Sequence, residues 1–326
     1  MTEPTATATL DGDEPSDNVD DVVEATDGEL GELGEYRSLR SDVWRQFRRH
    51  KGAIAGLIVL TLITFGALLG PLVYPADPFE LNIDVANQGP SWEYPFGTDN
   101  LGRDVLARSL IGGRISLAVG FAAMVFSLVI GVTVGVTAGF FHGFVDGALM
   151  RFTDLFLSLP LLPLLLVSIL LFRDPLKDTF GPNLGIFVLV VSIIGATSWM
   201  QTARIVRGDV LAVREEEFIL AARSIGTPPR RIVTRHILAN VLSPVTVSAS
   251  LGIAVAIITE SALSFLGLGF PADFPTWGRL LFDAKDYMQI NVWRVVLPGS
   301  LISLTVISVN FIGDGLRDAL DPRLRS

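Results

Sequence analysis

The stretch Arg114–Gly139, RISLAVGFAAMVFSLVIGVTVGVTAG, decides the fold class of this chain. Its only charged residue is the first arginine, and nearly all the others are apolar or small. About 20 consecutive apolar residues suffice for a helix to cross the hydrocarbon core of a bilayer, so the stretch predicts a transmembrane helix. Half of the 326 residues are hydrophobic, which places the whole chain in the membrane class.

Five further apolar stretches have a comparable length. Together with residues 114–139 they predict an all-α polytopic membrane protein with six transmembrane helices. Gly131, Gly135 and Gly139 recur at a spacing of four, which predicts close packing against another helix. Pro160 and Pro163 predict a bend in the third helix, because proline removes a helical donor and clashes with the preceding turn. The other predicted spans are residues 53–73, 149–172, 185–206, 241–266 and 292–313.

Acidic residues are concentrated at the N-terminus. Residues 1–36 hold 12 Asp and Glu and no Lys or Arg, so the net charge of −9 comes from this segment. Such a composition buries too little apolar surface to offset its ordering entropy, which predicts a disordered acidic tail. The rest divides into residues 37–113, with a leader, the first span and an outer loop, residues 114–318, the main transmembrane domain, and residues 319–326, a short C-terminal tail.

The basic residues predict the orientation in the membrane. Six Arg and Lys lie in residues 36–51, whereas residues 74–113 contain two Arg and six acids. The positive-inside rule therefore places the N-terminus in the cytoplasm, and six crossings return the C-terminus to the same side. The arginine-rich residues 207–240 then also face the cytoplasm. We expect a multi-pass protein of the cell membrane with both termini cytoplasmic.

The chain lacks the short motifs of several enzyme classes. It has no G-x-x-x-x-G-K-[ST] loop for ATP, no H-E-x-x-H and no G-x-S-x-G. It has no cysteine, and its three histidines lie far apart in the sequence. No catalytic residue, metal site or cofactor site is therefore predicted, and no nucleic-acid partner is expected.

Glu260 is an ionisable residue in the predicted fifth span. Ionisable groups at membrane depth are costly, so such a residue is a candidate for function. Two interpretations stay open: a hydrogen bond between helices, or a place on a transport pathway.

The segment Glu215–Pro244, EEEFILAARSIGTPPRRIVTRHILANVLSP, carries far more charge than the apolar stretches beside it. Its pattern predicts an amphipathic helix over residues 209–225 that lies outside the bilayer. Gly226 would end this helix in the left-handed conformation, and Thr227 would cap a second helix that begins at Pro228. The predicted helix has on or near one face Val210, Val213, Phe218, Ala221 and Ala222.

Two functions fit such a helix pair. It could lie on anionic lipid through its arginines. Alternatively, small Ala221 and Ala222 beside the corner would let a cytoplasmic partner approach closely. On the opposite side of the membrane, the segment PFGTDNLGRDVLARSL predicts a helix that begins at Thr98 or Asp99, since both residue types cap helices.

The charged segment resembles the signature of the permease subunits of ABC importers, in which E-A-A is followed by three residues, a glycine, about nine residues and I-x-L-P. LAARSIG and HILAN match it, with Leu220 in place of the family's glutamate and Ala239 in place of its frequent proline. The resemblance implies a docking site for an ATPase subunit formed by Ala221, Ala222, Arg223, Gly226, Ile237 and Leu238.

Other segments resemble the C-type permease subunit of dipeptide and oligopeptide importers. These are RRHKGAIAGLIVLTLITFGALLGPLVYPADP, YPFGTDNLGRDVLARSLIGGRISL, ESALSFLGLG and GDGLRDALDPRLR, so the resemblance covers roughly residues 40–326. It implies the type I ABC importer permease fold and a pathway shared with a second, homologous permease. Two ATPase subunits would bind ATP and Mg²⁺, and an extracellular solute-binding protein would deliver the substrate.

The resemblance favours di- or oligopeptides as substrates, while nickel chelates, opines and sugars are the alternatives within the family. A self-contained channel or secondary transporter, and a membrane scaffold without transport, are the alternatives outside it.

Overall fold

The computed structural model describes residues 39–141 and 143–320 of the chain, with side chains from residue 43 onward. The predicted acidic tail and residues 321–326 lie outside the described residues. The contacts within the chain divide it into two units, Met1–Asp42 and Val43–Ser326. The architecture described below is that of the second unit. The described ranges contain helices and no β-strand.

The described residues form twelve α-helices, a π-helix and two 3₁₀ turns. The 3₁₀ turns are Ile83–Val85 and Lys285–Tyr287, and the π-helix is Ile232–Ile237. The α-helices in chain order are α1 Leu39–Arg49, α2 Lys51–Val73, α3 Val105–Phe141, α4 Phe144–Ser158, α5 Leu161–Phe180, α6 Pro182–Val213, α7 Glu217–Ser224, α8 Pro229–Arg231, α9 Leu238–Asn240, α10 Leu242–Phe265, α11 Trp277–Ala284 and α12 Trp293–Leu320.

Five of these helices are long and apolar enough to cross a membrane, namely α2, α3, α6, α10 and α12. The pair α4 and α5 passes the same test together but is bent by 90°. The all-α membrane fold predicted from the sequence is confirmed, and so is the bend in the third span, although the bend divides residues 149–172 between two helices. The break falls at Leu159 and Pro160, and Pro163 lies in the first turn of α5, where a missing donor is harmless.

The glycine ladder of α3 packs against α6. A Cβ at position 131 would lie 2.7 Å from Cβ of Thr202, and one at position 139 would lie 2.8 Å from Cβ of Val210. The predicted close approach is thus present, and only glycine permits it. Residue numbers rise together along both helices, so α3 and α6 run parallel. The intervening pair α4 and α5 must therefore return the chain across the bundle, which makes it the sixth crossing.

The first and last spanning helices run antiparallel. A Cβ at Gly56 of α2 would lie 2.7 Å from the carbonyl oxygen of Ser308, while Ala53 contacts Gly315 near the end of α12. The start of α2 and the end of α12 therefore lie at one end of the bundle, as an even number of crossings requires. We call this the terminal end, and the opposite end, where α2 ends and α3 begins, the loop end.

Residues 74–104 form a compact loop at the loop end. Helix α3 begins at Val105, and Asp104 caps it by accepting a hydrogen bond from the amide of Ala107 at 2.9 Å. The prediction that Thr98 or Asp99 begins this helix is wrong. Asp99 instead accepts hydrogen bonds from the amides of Leu101 and Arg103 at 2.8 and 3.0 Å, so the chain turns once more before the helix starts.

Buried charges tie this loop to the rest of the loop end. Arg108 is 1% exposed and lies 3.6 Å from a carboxylate oxygen of Asp283 in α11. Its guanidinium also donates to the carbonyl oxygen of Ala272 at 3.3 Å. Arg294 at the start of α12 donates to Asn87 and Asn100 at 2.9 and 3.2 Å. Three separate segments are thus fixed on one another by charged hydrogen bonds.

Tyr74, which follows α2, is held by the same loop. Its hydroxyl donates to a carboxylate oxygen of Asp104 and to the carbonyl oxygen of Glu93, the latter at 3.1 Å. Burial and the hydrogen bond to Asp104 raise the pKa of Tyr74 well above its usual value. The hydroxyl therefore stays protonated at pH values where a solvated tyrosine begins to ionise.

Candidate functional site

The chain between α6 and α10 forms the first candidate site, which we call the corner loop (residues 214–241). The predicted continuous helix over residues 209–225 is wrong, because α6 ends at Val213 and α7 begins only at Glu217. The turn at the end of α7 is as predicted. Gly226 has φ +79°, and the amides of Gly226 and Thr227 donate to the carbonyl oxygens of Arg223 and Ala222 at 2.9 and 3.0 Å. This is the Schellman arrangement, which favours glycine.

The second part of the corner loop starts one residue later than predicted. Pro228 precedes α8 and Pro229 is its first residue, and no side chain caps the helix. Thr227 is therefore not the cap. A π-helix follows over Ile232–Ile237, where the amide of Leu238 donates to the carbonyl oxygen of Val233. One extra residue per turn rotates the following residues relative to an α-helix, and such turns are frequent at functional sites.

The inner side of the corner loop is apolar and packs on the bundle. Ile219 and Ile237 are fully buried, and Ile232 is 2% exposed. They form one cluster with Val206 and Val210 of α6 and Val136 of α3. Because fully burying each such side chain contributes about 1.5–3 kcal/mol, the loop is held firmly to α3 and α6.

The outer side of the corner loop combines small, apolar and basic residues. Of the predicted docking residues, Ala221, Arg223 and Gly226 are exposed. Ala222, Ile237 and Leu238 are buried or half-buried, so they support the corner from below. The docking role of these six residues stays a prediction, but the structure divides them into an outer and an inner group.

Three exposed apolar side chains were missed by the sequence interpretation. Phe218, Leu220 and Ile225 have exposed fractions of 44%, 46% and 83%. Phe218 had been assigned to the apolar face with Ala222, but the break at residues 214–216 turns α7 so that Ile219 points inward instead. The run FIL at residues 218–220 could have signalled this, because a short helix cannot bury three consecutive apolar residues on one face.

Glu260 lies in α10 and is fully buried. The hydroxyl of Ser264 donates to it at 2.7 Å, and that of Ser116 in α3 lies 3.4 Å from its second carboxylate oxygen. Ser116 in turn accepts a hydrogen bond from the amide of Trp277 at 3.1 Å. Glu260 thus belongs to a polar network that joins α3, α10 and α11, the arrangement expected of a hydrogen bond between helices.

The second candidate site is a cavity of about 500 Å³ in the membrane part of the bundle. Its walls come from α3, the α4–α5 bend, α6 and α10. None of the lining residues in the described part of the chain carries a charge, and Glu260 is not among them. The polar residues of the wall are Ser127, Thr197, Ser198, Gln201, Thr202, Ser248 and Thr259.

Comparison with known protein families shows which of them this chain is similar to. Residues 131–326, more than half of the chain, match the family described as binding-protein-dependent transport system inner membrane component. Residues 38–90 match the N-terminal transmembrane domain of oligopeptide transport permease C. The chain belongs to the family of binding-protein-dependent transport permeases. The resemblance to ABC importer permeases is thereby confirmed, and the first match contains the corner loop of the permease and most of its cavity wall.

Individual relatives cover almost the whole permease. The dipeptide transport system permease protein DppC of Alkalihalophilus pseudofirmus is 40% identical over 87% of this chain and 90% of its own length. The oligopeptide transport system permease protein OppC of Haemophilus influenzae is 40% identical over 94% and 96%. OppC of Escherichia coli K12 is 43% identical over 89% and 93%. The similarity therefore extends through all the spans of the permease.

Proposed function

We propose that this permease is the transmembrane subunit of an ATP-driven importer of dipeptides and oligopeptides, and that its cavity forms part of their route. The observation that carries the proposal is the cavity itself. It lies among α3, α6 and α10 within the spanning helices, and its volume is that of a small-molecule site. The relatives named above are dipeptide and oligopeptide transport permeases, which supports peptides rather than nickel chelates, opines or sugars.

The proposal includes partners for both ends of the bundle. Two ATPase subunits, which bind ATP and Mg²⁺, would complete the importer, and one of them would dock on the outer side of the corner loop. A second, homologous permease would complete the route as a heterodimer, and an extracellular solute-binding protein would meet the loop end. Both termini would be cytoplasmic, because the corner loop lies at the terminal end and carries five arginines at positions 214, 223, 230, 231 and 235.

The way the corner loop packs supports its role in coupling. Val210 of α6 contacts Gly139 of α3, and Val241, fully buried, leads directly into α10. A displacement of the corner loop would therefore move α6 and α10 as packed elements, and these two helices supply cavity residues Gln201 and Ser248. ATP binding by the partners would thus bias one of two arrangements of the cavity walls.

Uptake of a radiolabelled dipeptide tests this proposal. In cells deleted for the gene, the wild-type chain restores ATP-dependent uptake, which unlabelled peptides suppress and nickel chelates, opines and sugars do not. Restored uptake that a sugar or chelate suppresses, with no effect of peptides, would contradict the assigned substrate. Transport by the purified chain alone in liposomes would contradict the role as a subunit.

A further inference from the structure

We infer that the cavity binds the main chain of a peptide in transit through Ser127, Gln201, Thr202 and Ser248, and that it does not distinguish substrates by the charge of their side chains. This inference rests on the proposed function and adds a recognition mechanism to it.

The four residues differ from the other polar residues of the wall. Thr197, Ser198 and Thr259 donate their hydroxyls to carbonyl oxygens of their own helices at 2.9, 2.7 and 2.8 Å. Such bonds leave little further capacity to donate. These three therefore behave as ordinary residues of a membrane helix.

The side chains of Ser127, Gln201, Thr202 and Ser248 make no hydrogen bond within the described part of the chain. Ser127 and Thr202 are only 6% and 7% exposed, so bulk solvent reaches little of either side chain. Gln201 is exposed, and the hydroxyls of Ser127 and Thr202 are accessible from the cavity. The four residues come from three helices and meet at one cavity. Their free hydrogen-bonding groups face the cavity and suit an occupant that supplies both donors and acceptors.

The chemistry of these four groups fits a peptide main chain. Each hydroxyl or amide can both donate and accept, and each peptide unit offers one N–H donor and one C=O acceptor. Recognition through the main chain is independent of the side chains of the substrate. Apolar residues such as Met124, Leu251 and Val255 complete the wall and offer contacts of low specificity.

The absence of charge on the wall has a consequence for specificity. A fixed charge in a poorly solvated cavity strongly attracts one sign and repels the other. None of the lining residues described carries one, so acidic, basic and neutral peptides would pass with similar ease.

The test introduces charges of opposite sign at one position. Gln201→Glu and Gln201→Lys are assembled into the complete transporter in proteoliposomes, with saturating solute-binding protein. Uptake of Ala-Ala-Ala, Ala-Asp-Ala and Ala-Lys-Ala is expressed relative to wild type, so that the preference of the binding protein cancels. We expect Gln201→Glu to lower uptake of the acidic peptide by about tenfold relative to the neutral one, and Gln201→Lys to lower that of the basic peptide by a similar factor.

Matched variants control for the added charge. Thr179→Glu and Thr179→Lys place the same groups on an exposed position near the end of α5, outside the cavity, and should leave the peptide ratios unchanged. Ser248→Asp and Ser248→Lys repeat the test from α10, so a folding defect at residue 201 does not decide the outcome.

Two results would overturn the inference in different ways. Equal effects of each charge on all three peptides at both positions would show that peptides do not pass through the cavity. The proposed import of peptides would be unaffected by that result. No peptide uptake by the wild-type transporter would overturn the proposed function as well.

Discussion

At the scale of single residues, the bundle depends on positions where no side chain fits. Gly135 is an example, because a Cβ there would lie 2.6 Å from the carbonyl oxygen of Ala203 and 2.8 Å from Cβ of Val206. A backbone atom cannot move aside as a flexible side chain can. The contact between α3 and α6 is therefore sensitive to one methyl group.

We predict that Gly135→Ala destabilises the protein by about 1–3 kcal/mol, because overpacking forces the two helices apart. Gly208→Ala in α6 is the matched control, since no atom lies within 4 Å of its would-be Cβ. Its higher helix propensity should leave stability equal or raise it by about 0.5–1 kcal/mol. Thermal unfolding of the purified proteins in detergent measures both, and equal midpoints for the two variants would disprove the account of the ladder.

Arg108 is the second residue on which a prediction rests. It is 1% exposed and holds residues of three segments through Pro78, Ala272 and Asp283. Arg108→Ala would leave the carboxylate of Asp283 with one cationic partner in the described part of the chain, Arg279 at 3.0 Å, and should cost about 3 kcal/mol. Exposed Arg230→Ala is the control and should change the unfolding midpoint little. A midpoint of Arg108→Ala close to wild type would refute the structural role of the buried cluster.

At the scale of elements, the corner loop depends on the left-handed turn at Gly226. No atom lies within 4 Å of a Cβ built there, so a substitution acts through the backbone or through a partner. Valine and asparagine have similar sizes, but asparagine tolerates positive φ whereas a β-branched residue does so only under strain.

We predict that Gly226→Val lowers peptide uptake by roughly tenfold, since strain of about 1–3 kcal/mol is released by moving the corner. Gly226→Asn should keep most of the activity. Uptake assays at matched membrane levels compare the two. Equal loss in both variants would show that the partner excludes any side chain here, and equal retention would show that the turn is dispensable.

How far the sequence predicts these elements depends on how local their causes are. The apolar runs and the glycine spacing act within one helix or one contact, so five spans and the close approach of another helix to α3 follow from them. The Schellman turn at Gly226 is equally local. The start of α3 is not, because Asp99 bonds to its own loop and to Arg103, which leaves Asp104 to cap the helix.

Other features of the fold arise from contacts between distant segments. Helix α4 is held against α6 by ion pairs of Asp146 with Arg207 and of Asp154 with Arg204, which lie far apart in the sequence. The inward turn of Ile219 depends on the same kind of packing. The cavity consists of residues from five helices, so no local pattern could predict it, and Glu260 was the more conspicuous candidate for the pathway.

At the scale of the whole molecule, the two ends of the bundle are built differently. The loop end is fixed by buried charges around Arg108, whereas the terminal end carries a corner loop with an apolar underside and an exposed outer side. An arrangement of this kind suits a protein in which force enters at the corner loop and reaches the cavity through α6 and α10.

The most direct test of the central claim is affinity purification of the tagged protein in mild detergent, with mass spectrometric identification of its partners. Three forms are compared: wild type, Ala221→Trp on the outer side of the corner loop, and Ala55→Trp on exposed α2 as the control. We predict that an ATPase and a second permease accompany wild type and the control, and that Ala221→Trp keeps the permease but recovers less ATPase. Recovery of wild type with no ATPase, or unchanged ATPase with Ala221→Trp, would contradict the docking role of the corner loop.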